Sequence, residues 1–142
     1  MKNQIISNIE PRVSLIRVDK LIPHENFDQN KVDNLSKKIL SESKWSQPII
    51  VDNQDYIILD GHHRYNVAIQ LGLTQIPCLL VEYDDPRISV SSWRNSLFVD
   101  RQIVRKASTS ILLPVKTSMH EFDFELPSTN FSIASLKSEK AA

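Results

Sequence analysis

Asp60-Gly61-His62-His63-Arg64 sets a carboxylate, two imidazoles and a guanidinium around a glycine. Only two glycines occur in the 142 residues, Gly61 and Gly72, where average usage would give about ten. The hydrophobic run Ile57-Ile58-Leu59 ends at Asp60, and a helical pattern begins just after Gly61. A strand feeding a helix through glycine leaves backbone N–H groups and the positive end of the helix dipole facing outward. His62, His63 and Arg64 add donors at the same point, an arrangement suited to phosphate. A second reading stands beside it: Asp60 caps the helix and the histidines are surface residues. Adjacent side chains on a helix diverge, and no Cys/His set at zinc spacing occurs elsewhere, which argues against structural zinc. Magnesium held by Asp60 together with substrate phosphates is compatible with the pattern.

Three further clusters carry chemistry. Lys116-Thr117-Ser118, with His120 beyond, offers a point charge and short donors for a polyphosphate, or forms an ordinary polar turn. Glu25 follows Pro23-His24 in a loop and is either a general base or a solvated carboxylate. Trp93-Arg94 forms either a pocket wall with a carboxylate clamp or a core ring beside a surface charge.

Elements must hold these groups in place. Val13 to Val18 is β-branched and apolar, a strand, and Pro23 to Asn26 interrupts as a loop. Asp28 caps a helix whose inner face carries Val32, Leu35, Ile39 and Leu40. Pro48 opens a strand through Val51, and Asn53-Gln54-Asp55 turns into a second strand, Tyr56 to Leu59. After Gly61 a helix carries Tyr65, Ala68, Ile69 and Leu71 inward and stops at Gly72. Ile76 to Tyr83 reads as a buried strand and Ile88 to Trp93 as another. Val99, Ile103, Val104 and Ala107 mark a third helix, and Phe122, Phe124, Phe131, Ile133 and Leu136 supply later apolar contacts. The mixture is α+β. A leader over 1–12, one domain over 13–136 and a tail over 137–142 are expected.

Seventeen basic residues balance seventeen acidic ones, which gives no support to nucleic acid or a membrane surface as partner. Cys78 lies in the apolar run Ile76 to Val81 and is expected to be a buried small hydrophobe in a reducing compartment. Neither a signal peptide nor a membrane-spanning stretch is visible, so the expected location is the cytoplasm.

The order Pro-His-Glu, Asp-Gly-His-His-Arg, Trp-Arg, Pro-x-Lys-Thr-Ser-x-His resembles the free serine kinases built on the ParB/sulfiredoxin-like fold. It runs from about Leu15 to Leu136, and Leu59 to Arg64 is its most specific part. The resemblance implies a single domain with a small mixed sheet and interleaved short helices. It implies phosphoryl transfer from ATP or ADP, with Mg²⁺, to the hydroxyl of a free amino acid, L-serine first. By similarity Glu25 is the base, and Asp60 orients the acceptor or holds the magnesium. Gly61, His62, His63 and Arg64 contact phosphate, with Lys116, Thr117, Ser118 and His120 closing over it. Trp93 and Arg94 help hold the amino acid. Lys116-Thr117-Ser118 stands where Lys-Ser-Thr or Lys-Thr-Thr is expected, keeping both hydroxyls, and Met119 stands where a basic residue often sits.

Sulfiredoxins place a cysteine directly after the glycine, where this chain has His62, and ParB-type partition proteins carry Gly-Glu-Arg-Arg there. An alternative keeps the phosphate cradle without turnover, as a nucleotide-binding regulatory or interaction module. Glu25 and Asp60 argue against it, since sensing needs no general base. The acceptor, the choice between ATP and ADP and the oligomeric state stay open at this level.

Overall fold

The computed structural model describes residues 10–137. Most of the expected leader and tail falls on 1–9 and 138–142, outside the described residues. The chain forms β1 (Arg12–Arg17), a 3₁₀ turn (Val18–Lys20), α1 (Gln29–Glu42), β2 (Lys44–Trp45), β3 (Ile49–Asp52) and β4 (Ile58–Asp60). It continues with α2 (His62–Leu71), β5 (Gln75–Val81), β6 (Ile88–Ser92), α3 (Arg101–Ser108), β7 (Ser118–Phe122), β8 (Phe131–Ser132) and α4 (Ile133–Leu136).

A mixed sheet in the order β1-β5-β3-β4 forms the centre. β5 runs antiparallel to β1 and parallel to β3, and β3 runs antiparallel to β4. β3 and β5 read as continuous apolar runs because both faces of the sheet are covered. Alternate residues serve alternate cores. Ile49, Val51, Ile76, Cys78 and Leu80 pack with Val32 and Ile39 of α1, Val67 and Ala68 of α2 and Leu136. Ile50, Leu79 and Val81 point to the other side, with Tyr83, Ile88, Val99 and Val104. Cys78 lies within the first core, and burial pushes its thiol up to about 12, consistent with a small hydrophobe.

Two helices start on an aspartate, the first of them as expected. Asp28 accepts from the Asn30 N–H and caps α1. Asp100 does the same for α3 through Ile103 N–H. Gly61 and Gly72, both left-handed, bound α2. Two apolar assignments differ. Leu40 and Ile69 are about half exposed, at 49% and 52%. Ser36 is buried on α1 instead and accepts from Gln70 on α2, so the α1–α2 seam is partly polar. The β2–β8 ribbon, in which Trp45 faces Phe131, gives no signal in two-residue strands. Among the described residues, no helix is long and apolar enough to cross a membrane.

Two features of the topology position the site. The 22–26 loop is anchored at both ends, by the Ile22–Ile57 bridge to the segment before β4 and by Glu25–Leu113. The β6–β7 ribbon pairs Ser92 with Ser118 and Val90 with His120, delivering the Lys116 segment beside Trp93.

Candidate active site

Gly61 leaves β4 with φ +111°, a conformation that L side chains rarely adopt. A Cβ there would meet Ile49 Cγ2 at 2.6 Å and Cβ at 2.8 Å, so α2 begins hard against β3. Gly61 has no side chain to cap the helix, and its first intrahelical bond is Tyr65 N–H to Gly61 O. The N–H groups ahead of it therefore open the helix without carbonyl partners of its own. That is the anion-receptive end inferred from the sequence.

A cleft of about 290 Å³ lies over this end, lined by Glu25, Lys31, Leu59, Asp60, Gly61, His62, His63, Arg64, Trp93, Lys116 and Ser118. Four separate chain segments flagged by sequence thus meet in one place. Glu25 reaches in from its anchored loop, where Asn26 N–H donates to Leu113 O and Leu113 N–H donates to His24 O. Its Oε1 accepts from the Ser118 amide at 2.8 Å and from Ser118 Oγ at 2.7 Å. Asp60 stands open at the end of β4; desolvation by the surrounding protein raises its carboxyl pKa, and Arg64 opposes the rise. Arg64 itself is partly desolvated, which lowers its pKa, with Asp60 pulling the other way. The Lys116 ammonium sits 5.1 Å from the centre of the Trp93 ring, a cation–π contact at the rim. Lys116 holds φ +55° on a loop braced by Arg94.

His62 and His63 each give Nε2 to the fold while lining the cleft. His62 is buried, and its Nε2 accepts from the His24 N–H at 3.1 Å. His63 Nε2 accepts from Asp28 N–H at 3.0 Å. A ring nitrogen that accepts carries no proton, so both imidazoles serve as internal acceptors at this point. Desolvation is the largest cause lowering both pKa values, that of His62 most strongly. They lock the 24–28 loop to α2 at the point where the helix end and Arg64 face the cleft.

Thr117, Arg94 and His120 lie outside the cleft lining. Thr117 is buried; its Oγ1 donates to Pro114 O at 2.7 Å and accepts from Arg94 Nε at 2.9 Å. Arg94 also donates to Val115 O, so its guanidinium braces the 114–117 loop rather than reaching for a carboxylate. His120 is bonded to the Tyr83 hydroxyl at 2.9 Å, and burial takes its pKa down to about 3. Lys31 was not singled out in the sequence because it sits on the polar face of α1, where a lysine is ordinarily solvated. His24, read only as Glu25's neighbour, is fully buried between Ile58 O and Ser118 Oγ.

The ParB N-terminal domain family matches residues 2–95, and the chain belongs to that family. An ATP-dependent L-serine kinase of Staphylothermus marinus is 35% identical over 92 residues, 62% of this chain and 36% of that protein. A ParB-like protein of Sulfolobus acidocaldarius is 37% identical over 84 residues, 59% of this chain and 42% of that protein. The matches thus span less than half the length of these curated relatives. A solved free serine kinase in complex with AMP shares the fold, with a TM-score of 0.78 at 12% identity, covering 95% of this chain and 98% of that one. At that coverage the likeness of fold extends past residue 95.

Proposed function

We propose that the protein is a kinase for a free hydroxy-amino acid, L-serine first, using ATP or ADP. The observation that carries this reading is the Glu25 carboxylate, fixed by Ser118 on one wall of a cleft whose other wall is the Gly61 helix start. A phosphate cradle alone would suit a sensor; a tethered carboxylate facing it suits proton abstraction. The relative named as an L-serine kinase supports the choice of acceptor.

In this reading, the helix end, Arg64, Lys116 and Lys31 compensate phosphate charge, and Glu25 takes the acceptor's hydroxyl proton. Asp60, across the helix start, orients the acceptor. Trp93 forms the outer wall, and Arg94 with Thr117 keeps the lysine loop in place. Among the described residues no group of three or more His, Cys, Asp or Glu side chains could hold a metal. That fits Mg²⁺, which is commonly bound through one or two carboxylates and substrate phosphates. Asp60 would hold it, and it would supply charge neutralisation on those phosphates. With seventeen charges of each sign, a nucleic-acid partner is not part of the reading, and the cytoplasm is its setting.

Phosphorus NMR of the protein with Mg²⁺, serine and either ATP or ADP tests it: O-phosphoserine is expected with one donor or both. Nucleotide binding without phosphoserine from folded protein would leave the regulatory module instead. Threonine and homoserine arms of the same assay fix the acceptor.

A further inference from the structure

Behind Glu25 lies a buried chain of hydrogen bonds whose hydrogens can be counted. His24 Nδ1 is 2.7 Å from Ile58 O, and a carbonyl only accepts, so Nδ1 carries a hydrogen. Nε2 is 2.8 Å from Ser118 Oγ, which is 2.7 Å from Glu25 Oε1. Ser118 supplies one hydrogen for those two links. With a neutral imidazole and an ionised carboxylate, one link has none, and two lone pairs face each other across a hydrogen-bond distance. One added proton repairs the chain. His24 is fully buried, and burial lowers its pKa against the opposing pull of Glu25. The groups facing it are Glu25, His62 from α2 at 4.5 Å and His120 from β7 at 5.8 Å between rings. Glu25 lines the cleft and His24 does not, so a proton from the acceptor arrives on the carboxyl.

We propose that Ser118 and His24 are positioning residues forming a hydroxyl switch behind Glu25, which stabilises the proton that Glu25 takes from the acceptor. The acceptor O–H bond breaks and its proton goes to the Glu25 carboxylate. The freed electron pair forms the new O–P bond, and the P–O bond to the leaving nucleotide breaks with its pair on the nucleotide. The protonated carboxyl then turns its O–H to Ser118 Oγ, and Ser118 turns its own hydrogen from Glu25 to His24 Nε2. The chemistry rests on the kinase reading; the hydrogen count rests on geometry alone.

Two measurements separate them. Two-bond ¹H–¹⁵N spectra of histidine-labelled protein should show His24 as the Nδ1–H tautomer. Its Nε2 signal should move to the hydrogen-bonded position in Glu25→Ala, which removes the carboxylate and frees the Ser118 hydrogen for His24. Adding Ser118→Ala to that variant should return the signal to the free position. An Nε2–H tautomer, an imidazolium at neutral pH or an Nε2 signal indifferent to both variants overturns the switch, whatever the assay shows. In turnover, Ser118→Ala should lower kcat about tenfold, the worth of one hydrogen bond. KM and nucleotide affinity should hold, and Ser118→Thr should restore the rate. An undiminished kcat in Ser118→Ala also overturns it while leaving the kinase standing. Absence of phosphoserine from wild-type protein sinks the kinase, and the spectra then decide the switch alone.

Discussion

The two glycines make different demands on the fold, and replacing each by alanine measures the difference. At Gly72 (φ +70°) a Cβ meets nothing within 4 Å. The cost there is the left-handed conformation alone, about 1 kcal/mol. At Gly61 the same conformational term applies at φ +111°, and to it is added a collision. Non-bonded carbons prefer about 3.5–4.0 Å, while the new Cβ would lie 2.6 Å from Ile49 Cγ2 and 2.8 Å from Ile49 Cβ. Ile49 is 1% exposed and stiff at χ1, so its movement drags β3. Overpacking of that kind costs about 1–3 kcal/mol. Gly61→Ala should therefore lose about 2–4 kcal/mol, a large part of a total stability of about 5–15 kcal/mol. Urea unfolding should show the midpoint falling by about 1–2 M, against about 0.5 M for Gly72→Ala, at a slope near 2 kcal/mol per M. Placing Gly61→Ala in an Ile49→Ala background removes the shorter contact and should recover about 1 kcal/mol of coupling. Equal midpoint shifts for the two glycines, or no coupling to Ile49, would refute the close approach of α2 to β3 as the reason for glycine.

Glu25→Gln should cut phosphoserine formation by about 10²–10⁴-fold with nucleotide affinity kept, and Asp60→Asn should do at least as much; phosphorus NMR and a binding titration read both. Lys116→Ala removes a unit charge worth about 1 kcal/mol at 4 Å even in bulk water, so nucleotide affinity should drop about fivefold or more, and less at high salt. Trp93 reports that binding, because Trp45 is buried and Trp93 is not. Burial holds His120 at about 3, below its ordinary 6.5. The unfolded chain therefore binds a proton that the folded chain refuses. The stability in question is fully present above about pH 6.5 and is lost as pH falls toward about 3, at about 1.4 kcal/mol per pH unit. Urea midpoints from pH 7 to 5 should show His120→Gln, which keeps a polar group near Tyr83, with a slope shallower by that amount.

What could be read in the chain and what could not divides along a physical line. The α1 and α3 caps, the bounds of α2 and the buried strands β3 and β5 follow from local chemistry: Asp28 and Asp100 reach their own helices, and Gly61 and Gly72 adopt conformations only glycine takes easily. Gathering Glu25, Asp60, Arg64, Lys116 and Ser118 into one cleft was legible through the resemblance that the order of the motifs carries, since each motif taken alone had an ordinary reading. The histidines' hold on the 24–28 loop is a task local sequence cannot carry. Whether an imidazole accepts from backbone depends on which amide lies opposite, and Asp28 N–H and His24 N–H arrive from far along the chain. The bracing of Val115 O and Thr117 Oγ1 by Arg94 is hidden in the same way. Lys31 and His24 were overlooked for the converse reason: a helix-surface lysine and a residue beside a proline look ordinary until α1 and β7 are packed against β4. The two histidines thus have a structural task beside the phosphate contact expected of them. His62 and His63 hold the loop that holds Glu25, so replacing either should blunt turnover by displacing the base while leaving the helix end free to receive phosphate.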